Sequence, residues 1–412
     1  MKKLGLYIHI PFCESKCTYC DFNSGYVLEE DRYLKALVQE IKLYAPTFKN
    51  HCIDTIFFGG GTPSLYSASS LEKILNTVTS SYKIPELQFP AGACTPNAGP
   101  CFRRDKLRRG AGTSFAGTGI EITIECNPNS LTLPKLQGFK KIGFNRVSLG
   151  AQSFQDNYLK KLTRLHSSDH IREALKNITA AGFENFSFDL MYGLPNQDFS
   201  SFKKDLNTAL SFNPPHFSFY NLTLEKNHPL FKELPSNETC TKMHLISKKI
   251  LEKEGYDHYE ISNFAEPGFK SRHNLKYWEG EEYLGLGAGA SSYLKTPPPW
   301  AEKDLPYGVR FMDEKNPTKY INSLLNNSYA IENKEYLTQK EALVDELMGR
   351  LRLSEKLSLS DLNKRYHIDF TAKFSSILKE KKNLGLLDIQ ENMLNVTNRG
   401  RLFLNEILID FI

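Results

Sequence analysis

Nowhere in the 412 residues does an uninterrupted apolar run approach the roughly 18 to 20 that a bilayer-crossing helix requires. Charge of one sign is not in large excess either. Lys and Arg number 52 against 47 Asp and Glu, a net +5, too little to argue for nucleic acid as the partner. Most of that surplus is local, because Arg103, Arg104, Lys106, Arg108 and Arg109 face only Asp105 within residues 90–119. The opening Met1-Lys2-Lys3 is followed by just seven apolar-rich residues, Leu4 to Ile10, and then Pro11, without a small-residue cleavage site. That reads as a first strand in place of a secretory leader, which predicts a cytoplasmic chain. Eight cysteines are too few for a disulfide scaffold at this length. Three of them fall within eight residues, and in a reducing compartment such crowding favours a metal site. The composition, 40% hydrophobic and 24% charged, is that of a globular chain long enough for two or three domains.

Apolar β-rich runs alternate with amphipathic stretches through the first half. Leu4–Ile10, Ile53–Phe58, Ile120–Cys126, Arg146–Leu149, Phe186–Met191 and Phe217–Leu222 read as strands. The segments near 30–45, 68–81, 133–141, 168–182 and 198–211 read as the helices between them. This order predicts parallel βα units, and six such strands predict an α/β fold with an open or partial barrel. A further helix is expected at 239–254 and a strand at Tyr256–Ile261. Beyond about residue 330 short helices give way to Leu386–Asp388 and Leu394–Val396 around a polar turn, the pattern of a small winged-helix-like α+β domain. That tail has no concentrated basic face, so DNA is not its expected partner. Three regions follow: a barrel at 1–225, an extension at 226–330 and the winged domain at 331–412. Residues 86–119 break the pattern with Gly, Ala, Pro and Arg in place of Lys, Asn and Ile, and read as a disordered surface insertion. Its RRDKLRR run is the one feature that would suit RNA or lipid. Cys94 and Cys101 there read as free thiols.

The chemistry begins at Cys13-x3-Cys17-x2-Cys20, directly after the first strand. Thiolates so spaced on a short loop can wrap one compact centre. Structural zinc would want a fourth protein ligand, which His9 or a distant residue would have to supply. An iron–sulfur cube held by three cysteines leaves one iron open for a small chelating ligand. Gly59-Gly60-Gly61-Thr62-Pro63 follows the second strand, and glycines there let backbone groups approach a ligand closely. A phosphate loop is the competing reading, but its lysine is missing.

YIHIPFCESKCTYCDF at 7–22, with Tyr19 before the third cysteine, and GGGTP at 59–63 resemble the radical S-adenosylmethionine (SAM) superfamily. Further matches are Glu125 in ECNPNS, Gln152 in SLGAQSF, Arg164 in LTRLH and Asp189 in FDLMYGLP. Together they resemble the subgroup of oxygen-independent coproporphyrinogen III oxidase, over nearly the whole chain except 86–119. The resemblance implies a partial (β/α)6, TIM-like barrel in which Cys13, Cys17 and Cys20 ligate a [4Fe–4S] cluster. It implies a SAM site lined by Tyr7, Tyr19, Gly60, Gly61, Thr62 and Glu125, with Gln152, Arg164 and Asp189 close by. The residue types suit that ligand: a sulfonium cation, an ammonium group and ribose hydroxyls want carboxylates, an amide and backbone carbonyls on one rim, where β/α barrels carry their sites.

One departure is informative. The oxidase pattern calls for a fourth cysteine two residues past Cys20, where this chain has Asp21 and then Phe22. CTYCDF together with His273-Asn274-Leu275-Lys276-Tyr277-Trp278 and YLGLGAGASSY at 283–293 resembles the haem-chaperone branch of the subgroup. That implies haem as a further ligand and haem-acceptor proteins as partners, with peripheral membrane association and a homodimer compatible with it. His273 is the candidate axial ligand, Tyr277 and Trp278 the candidate stacking groups, and Arg272 and Lys276 candidate partners for propionates. The competing expectations are radical decarboxylation of coproporphyrinogen III, and a radical-SAM enzyme acting on RNA. In the chaperone, SAM cleavage would be slow at most.

Overall fold

The structure, a computed structural model, describes residues 1–25, 30–85, 119–301 and 304–411. The insertion expected at 86–119, with Cys94 and Cys101, therefore lies outside the described residues but for Gly119. The chain opens with β1 (Lys2–Ile10), α1 (Glu30–Tyr44), β2 (His51–Gly60), α2 (Ala68–Ser81), β3 (Glu121–Cys126) and α3 (Leu133–Lys141). It continues through β4 (Arg146–Gln152), α4 (Asp156–Lys161), α5 (Ser168–Ala180), β5 (Asn185–Tyr192), α6 (Phe199–Leu210) and β6 (His216–Asn221). All six strands are parallel and lie side by side in chain order. This is the α/β architecture expected from the alternating runs, each crossover covering the sheet with a helix.

Period-2 alternation gives the sheet two unlike faces. Leu6, Ile8, Ile56, Phe58, Ile122, Ile124, Val147, Leu149, Phe188 and Phe217 pack with Leu34, Leu37, Ile41, Leu71 and Ile74 of the helices in the main core. The alternate positions carry Tyr7 and His9, Thr55, Thr123 and Glu125, Arg146 and Ser148, Ser187 and Asp189, His216 and Ser218. One face thus makes the core, and the other makes a polar interior.

The second part of the chain extends this sheet at both edges. After α7 (Asn237–Lys253) come β7 (Asp257–His258), β8 (Asn263–Ala265), α8 (Arg272–Glu279), β9 (Tyr283–Leu286), β10 (Ser291–Leu294), β11 (Val309–Asp313), α9 (Pro317–Leu325) and β12 (Ile331–Tyr336). The sheet runs β12-β11-β10-β9-β1-β2-β3-β4-β5-β6-β8-β7. Here the expected strand at Tyr256–Ile261 needs correction. Only Asp257–His258 is extended, because the Glu260 carboxylate accepts from the Ser262 amide at 2.8 Å and from Asn263 Nδ2 at 2.5 Å, turning the chain back into β8.

A second core begins at Leu337 and runs to Phe411. It contains α10 (Gln339–Arg350), β13 (Leu357–Ser358), α11 (Leu359–Tyr366), α12 (Phe370–Lys373), α13 (Ser375–Asn383), β14 (Leu387–Gln390) and β15 (Met393–Val396). The expected two-stranded wing is present as the β14–β15 hairpin, and β13 pairs with its other edge to make three strands.

Candidate functional site

The three cysteines lie on the loop that leaves β1 at the C-terminal edge of the parallel sheet, where β/α folds carry their chemistry. Two backbone hydrogen bonds staple the loop shut: the Gly25 amide donates to the Pro11 carbonyl and the Cys13 amide to the Gly25 carbonyl, each at 2.8 Å. A side-chain relay secures it further. Tyr7 Oη meets His9 Nδ1 at 3.0 Å, His9 Nε2 meets the Asn23 carbonyl at 2.8 Å, and Asn23 Nδ2 donates to the Ala288 carbonyl at 2.9 Å.

The glycine run forms the adjoining wall. The Gly61 amide donates to the Ile10 carbonyl and the Thr62 amide to the Phe12 carbonyl, both at 2.8 Å. A Cβ on Gly61 would sit 2.5 Å from the Phe12 carbonyl oxygen, so only glycine allows this approach. Gly60 has φ +107°, a region closed to most side chains, and its amide donates to Glu125 Oε2 at 3.3 Å. The run that the sequence assigns to a ligand therefore also holds the cysteine loop in place.

Donors surround the thiols. Arg164 Nη1 lies 3.4 Å from Cys17 Sγ, and Thr62 Oγ1 lies 3.5 Å from Cys13 Sγ. Asn127 joins the two arms: its Nδ2 donates to Thr62 Oγ1 at 2.9 Å, and its Oδ1 accepts from Arg164 Nη2 at 2.6 Å. Arg164 Nη2 also reaches the Gly150 carbonyl at 3.2 Å. A shallow cavity lies in front of this group, lined by Glu14, Cys17, Asn127, Asn129, Arg164 and Leu165. Tyr19 packs against the small apolar cluster of Tyr158, Leu162, Met191, Leu194 and Leu222. Burial raises its phenol pKa, with the Arg164 cation opposing the rise.

Two carboxylates stand on β3 and β5, the strands on either side of β4. Ser148, on the strand between them, pairs with Glu125 in register and donates to both Asp189 oxygens at 3.2 Å. Burial, reinforced by the Asp189 charge, lifts Glu125 to about 8. Burial also lifts Asp189 to about 6, although Ser218 and Arg146 act against it. Although Arg146 opposes the rise in both, the pair holds a proton at neutral pH. Gln152 closes β4 with φ +64° beyond a register shift after Leu149. For a residue with a side chain that is a strained conformation, and it lies beside the Gly150–Arg164 contact.

Thus the loop, the glycines, Glu125, Gln152, Arg164 and Asp189 gather at one edge. Tyr7 stands inside, its ring stacked on Phe57 and His273 at 6.2 and 6.5 Å between centroids. Nothing in the residue pattern singles out Asn127 or Arg146. Asn127 lies two residues beyond Glu125 in ECNPNS, the same-side spacing of a strand, which is the signal that could have found it.

The HNLKYW segment forms α8 and is arranged differently from the expectation. His273 is wholly buried and both ring nitrogens are engaged, Nδ1 with Thr55 Oγ1 and Nε2 with Tyr277 Oη, each at 2.8 Å. Burial lowers its pKa to about 3, so the ring is neutral. As packed here, the imidazole has no free nitrogen for iron. Trp278 lies away from that pair, with the Arg352 guanidinium 4.5 Å above its ring. Lys276 is buried between Asp54 and Glu281 at 2.8 and 2.7 Å, and Arg272 Nη1 donates to the Gly119 carbonyl at 2.6 Å. Both cations have partners within the fold, and Arg272, with its second terminal nitrogen 3.9 Å from Asp54, is the more exposed of the two.

A scan against family models matches the radical SAM superfamily over residues 7–209 and the HemN C-terminal domain over residues 337–403. The solved structure of coproporphyrinogen III oxidase (HemN) from Escherichia coli, described as a radical SAM enzyme, shares the fold. Its TM-score is 0.78 at 23% identity, covering all of this chain and 90% of that one. The protein is therefore of the radical SAM class. Among curated relatives, the heme chaperone HemW of Bacillus subtilis is 32% identical over 411 residues, 97% of each chain. That of Lactococcus lactis is 30% identical over 97% of this chain and 94% of the relative. That of Escherichia coli is 34% identical over 71% of each. The chain belongs to the HemW heme chaperone family.

Proposed function

We propose that this protein binds haem and passes it to acceptor proteins, on a radical SAM frame that holds a [4Fe–4S] cluster and SAM. The observation that carries the cofactor part is the stapled loop after β1, with its three thiols and the donors reaching two of them. The donor set suits the cluster. A cube takes each thiolate at a separate iron, which three cysteines along one short loop can supply. Cys13, Cys17 and Cys20 would hold it, leaving one iron open. When bound, the cluster supplies that open coordination position for SAM and the electron for its cleavage. Around it Glu125 and Asp189 present carboxyl groups, Gly60, Gly61 and Thr62 present backbone, Gln152 and Arg164 present polar groups, and Tyr7 and Tyr19 form the walls.

Haem is the cargo that the relatives' name carries to this chain. His273, Tyr277 and Trp278 are our candidates for its contact. Since His273 is tied to Thr55 and Tyr277, ligation by it requires that α8 give up those bonds. An unchanged haem absorption band in a His273→Ala variant would refute that role. Phe22, which occupies the place of the oxidase's further cysteine, is 66% exposed, and this favours the carrier over the oxidase. No described helix is long and apolar enough to cross a membrane, and the acceptors we expect are cytoplasmic or reached from the membrane surface.

The deciding experiment is anaerobic turnover on cluster-reconstituted protein with SAM, a low-potential reductant and coproporphyrinogen III, beside an authentic oxidase. We expect no decarboxylated porphyrin and a saturable spectral shift with added haem. Vinyl-bearing product near the control rate would overturn the proposal.

A further inference from the structure

Asn127 is an amide placed between the two arms that reach the cysteine thiols, and the direction of each hydrogen bond can be assigned. Arg164 can only donate, so Asn127 Oδ1 faces it and accepts at 2.6 Å. That orientation turns Nδ2 towards Thr62, where it donates to Oγ1 at 2.9 Å. Thr62 Oγ1 lies 3.5 Å from Cys13 Sγ, and against a cluster-bound thiolate, which can only accept, the Thr62 hydroxyl is the donor. Arg164 presents its other terminal nitrogen to Cys17 Sγ at 3.4 Å. One side chain therefore fixes two donors, one of them a cation, on two different sulfurs. Arg164 is otherwise held by the Tyr19 side chain and by the Gly150 carbonyl at 3.2 Å, while its Nε is buried without a partner. Room beside it is limited, since a Cβ on Gly150 would lie 3.4 Å from Nη2 and 3.5 Å from Asn127 Oδ1.

We propose that Asn127 is a positioning residue that sets the reduction potential of the cluster by holding Thr62 on Cys13 and Arg164 on Cys17. Hydrogen bonds and positive charge at cluster sulfurs favour the reduced, more negative state, and the partners that orient such donors share in the effect. Removing the amide takes one tether from both donors at once. The inference rests on the reading that Cys13, Cys17 and Cys20 hold a [4Fe–4S] cluster.

The test is a reductive titration of cluster-loaded protein followed by electron paramagnetic resonance, with iron content measured on each sample. Asn127→Ala is expected to take up iron as the wild type does and to titrate at a more negative potential. Thr62→Val, which removes one donor and leaves Arg164 in place, is expected to shift the potential in the same direction by less. The double variant is expected to shift it by less than the two shifts summed, because Asn127 acts partly through Thr62. A loaded Asn127→Ala protein at the wild-type potential would overturn the proposal, as would strictly additive shifts. Loss of the cluster from Asn127→Ala and Thr62→Val alike, in folded protein, would overturn it too, making these residues requirements of assembly. Wild-type protein that takes up no cluster would instead refute the reading beneath it.

Discussion

Glu125 offers a direct test of how a buried carboxylate reports a cationic ligand. Burial and the neighbouring Asp189 hold it at about 8, so at pH 7 most molecules carry a proton there. A ligand bearing a sulfonium and an ammonium group wants that proton gone, and its charge would return the carboxyl towards its ordinary value near 4.5. SAM binding should then release close to one proton near neutral pH, and affinity should rise with pH until Glu125 is ionised. One pH unit below the pKa is worth about a factor of ten, so affinity should fall roughly 30-fold between pH 9 and pH 6.5, about 2 kcal/mol. Calorimetric titration of cluster-loaded protein, in two buffers of different ionisation enthalpy, measures both the affinity and the proton. Glu125→Gln keeps an acceptor for the Gly60 amide and cannot titrate, so its affinity should be weaker and nearly flat with pH. A flat profile in the wild type, or an undiminished slope in Glu125→Gln, would refute the reasoning.

Other outcomes follow from single contacts. Gly61→Ala would drive a methyl to 2.5 Å from the Phe12 carbonyl oxygen; we expect folded protein whose iron content after reconstitution is lost or sharply reduced. Glu40 and Asp313 are both fully buried; burial lifts each and Glu40 lifts Asp313 further, while hydrogen bonds from Tyr320 and Asp313 act against the rise at Glu40, so the two share a proton and Glu40 is held at about 7. Because the folded state binds that proton more tightly than the unfolded chain, stability should fall as pH rises from about 4.5 through 7, and Glu40→Gln should flatten that fall in thermal melts. Lys276→Met would strand the Asp54 carboxylate, and denaturant unfolding should show a loss of about 3–5 kcal/mol, the usual cost of breaking a buried pair from one side.

The framework was legible because its signals are local. Period-2 runs mark β1 to β6, and the cysteine spacing marks the loop that follows the first of them. Strand-end carboxylates followed from the same logic, since Glu125 and Asp189 sit near the ends of β3 and β5. What escaped depends on pairings between distant segments. His273 and Thr55 are 218 residues apart, and nothing within HNLKYW says that its imidazole will be consumed by a threonine of β2. Likewise Lys276 reads as a free cation until Asp54 is placed opposite it. The strand expected at Tyr256–Ile261 failed for a different reason: a single carboxylate, Glu260, captures two amide donors and turns the backbone, overriding the propensity of its neighbours.

The place of β1 in the sheet has a consequence for how the protein is made. It is flanked by β2 on one side and by β9 on the other, so this interior strand is synthesised long before one of its two neighbours. Gly5 pairs with Tyr283. At about 5–20 residues per second, that edge stays unpaired on the ribosome for on the order of 15–60 s. During that interval a strand carrying Leu4, Leu6, Ile8 and Ile10 presents open backbone donors and acceptors, a template for pairing with another chain. Translation speed and chaperone capture between β1 and β9 should therefore govern the yield of soluble protein as much as the stability of the finished fold.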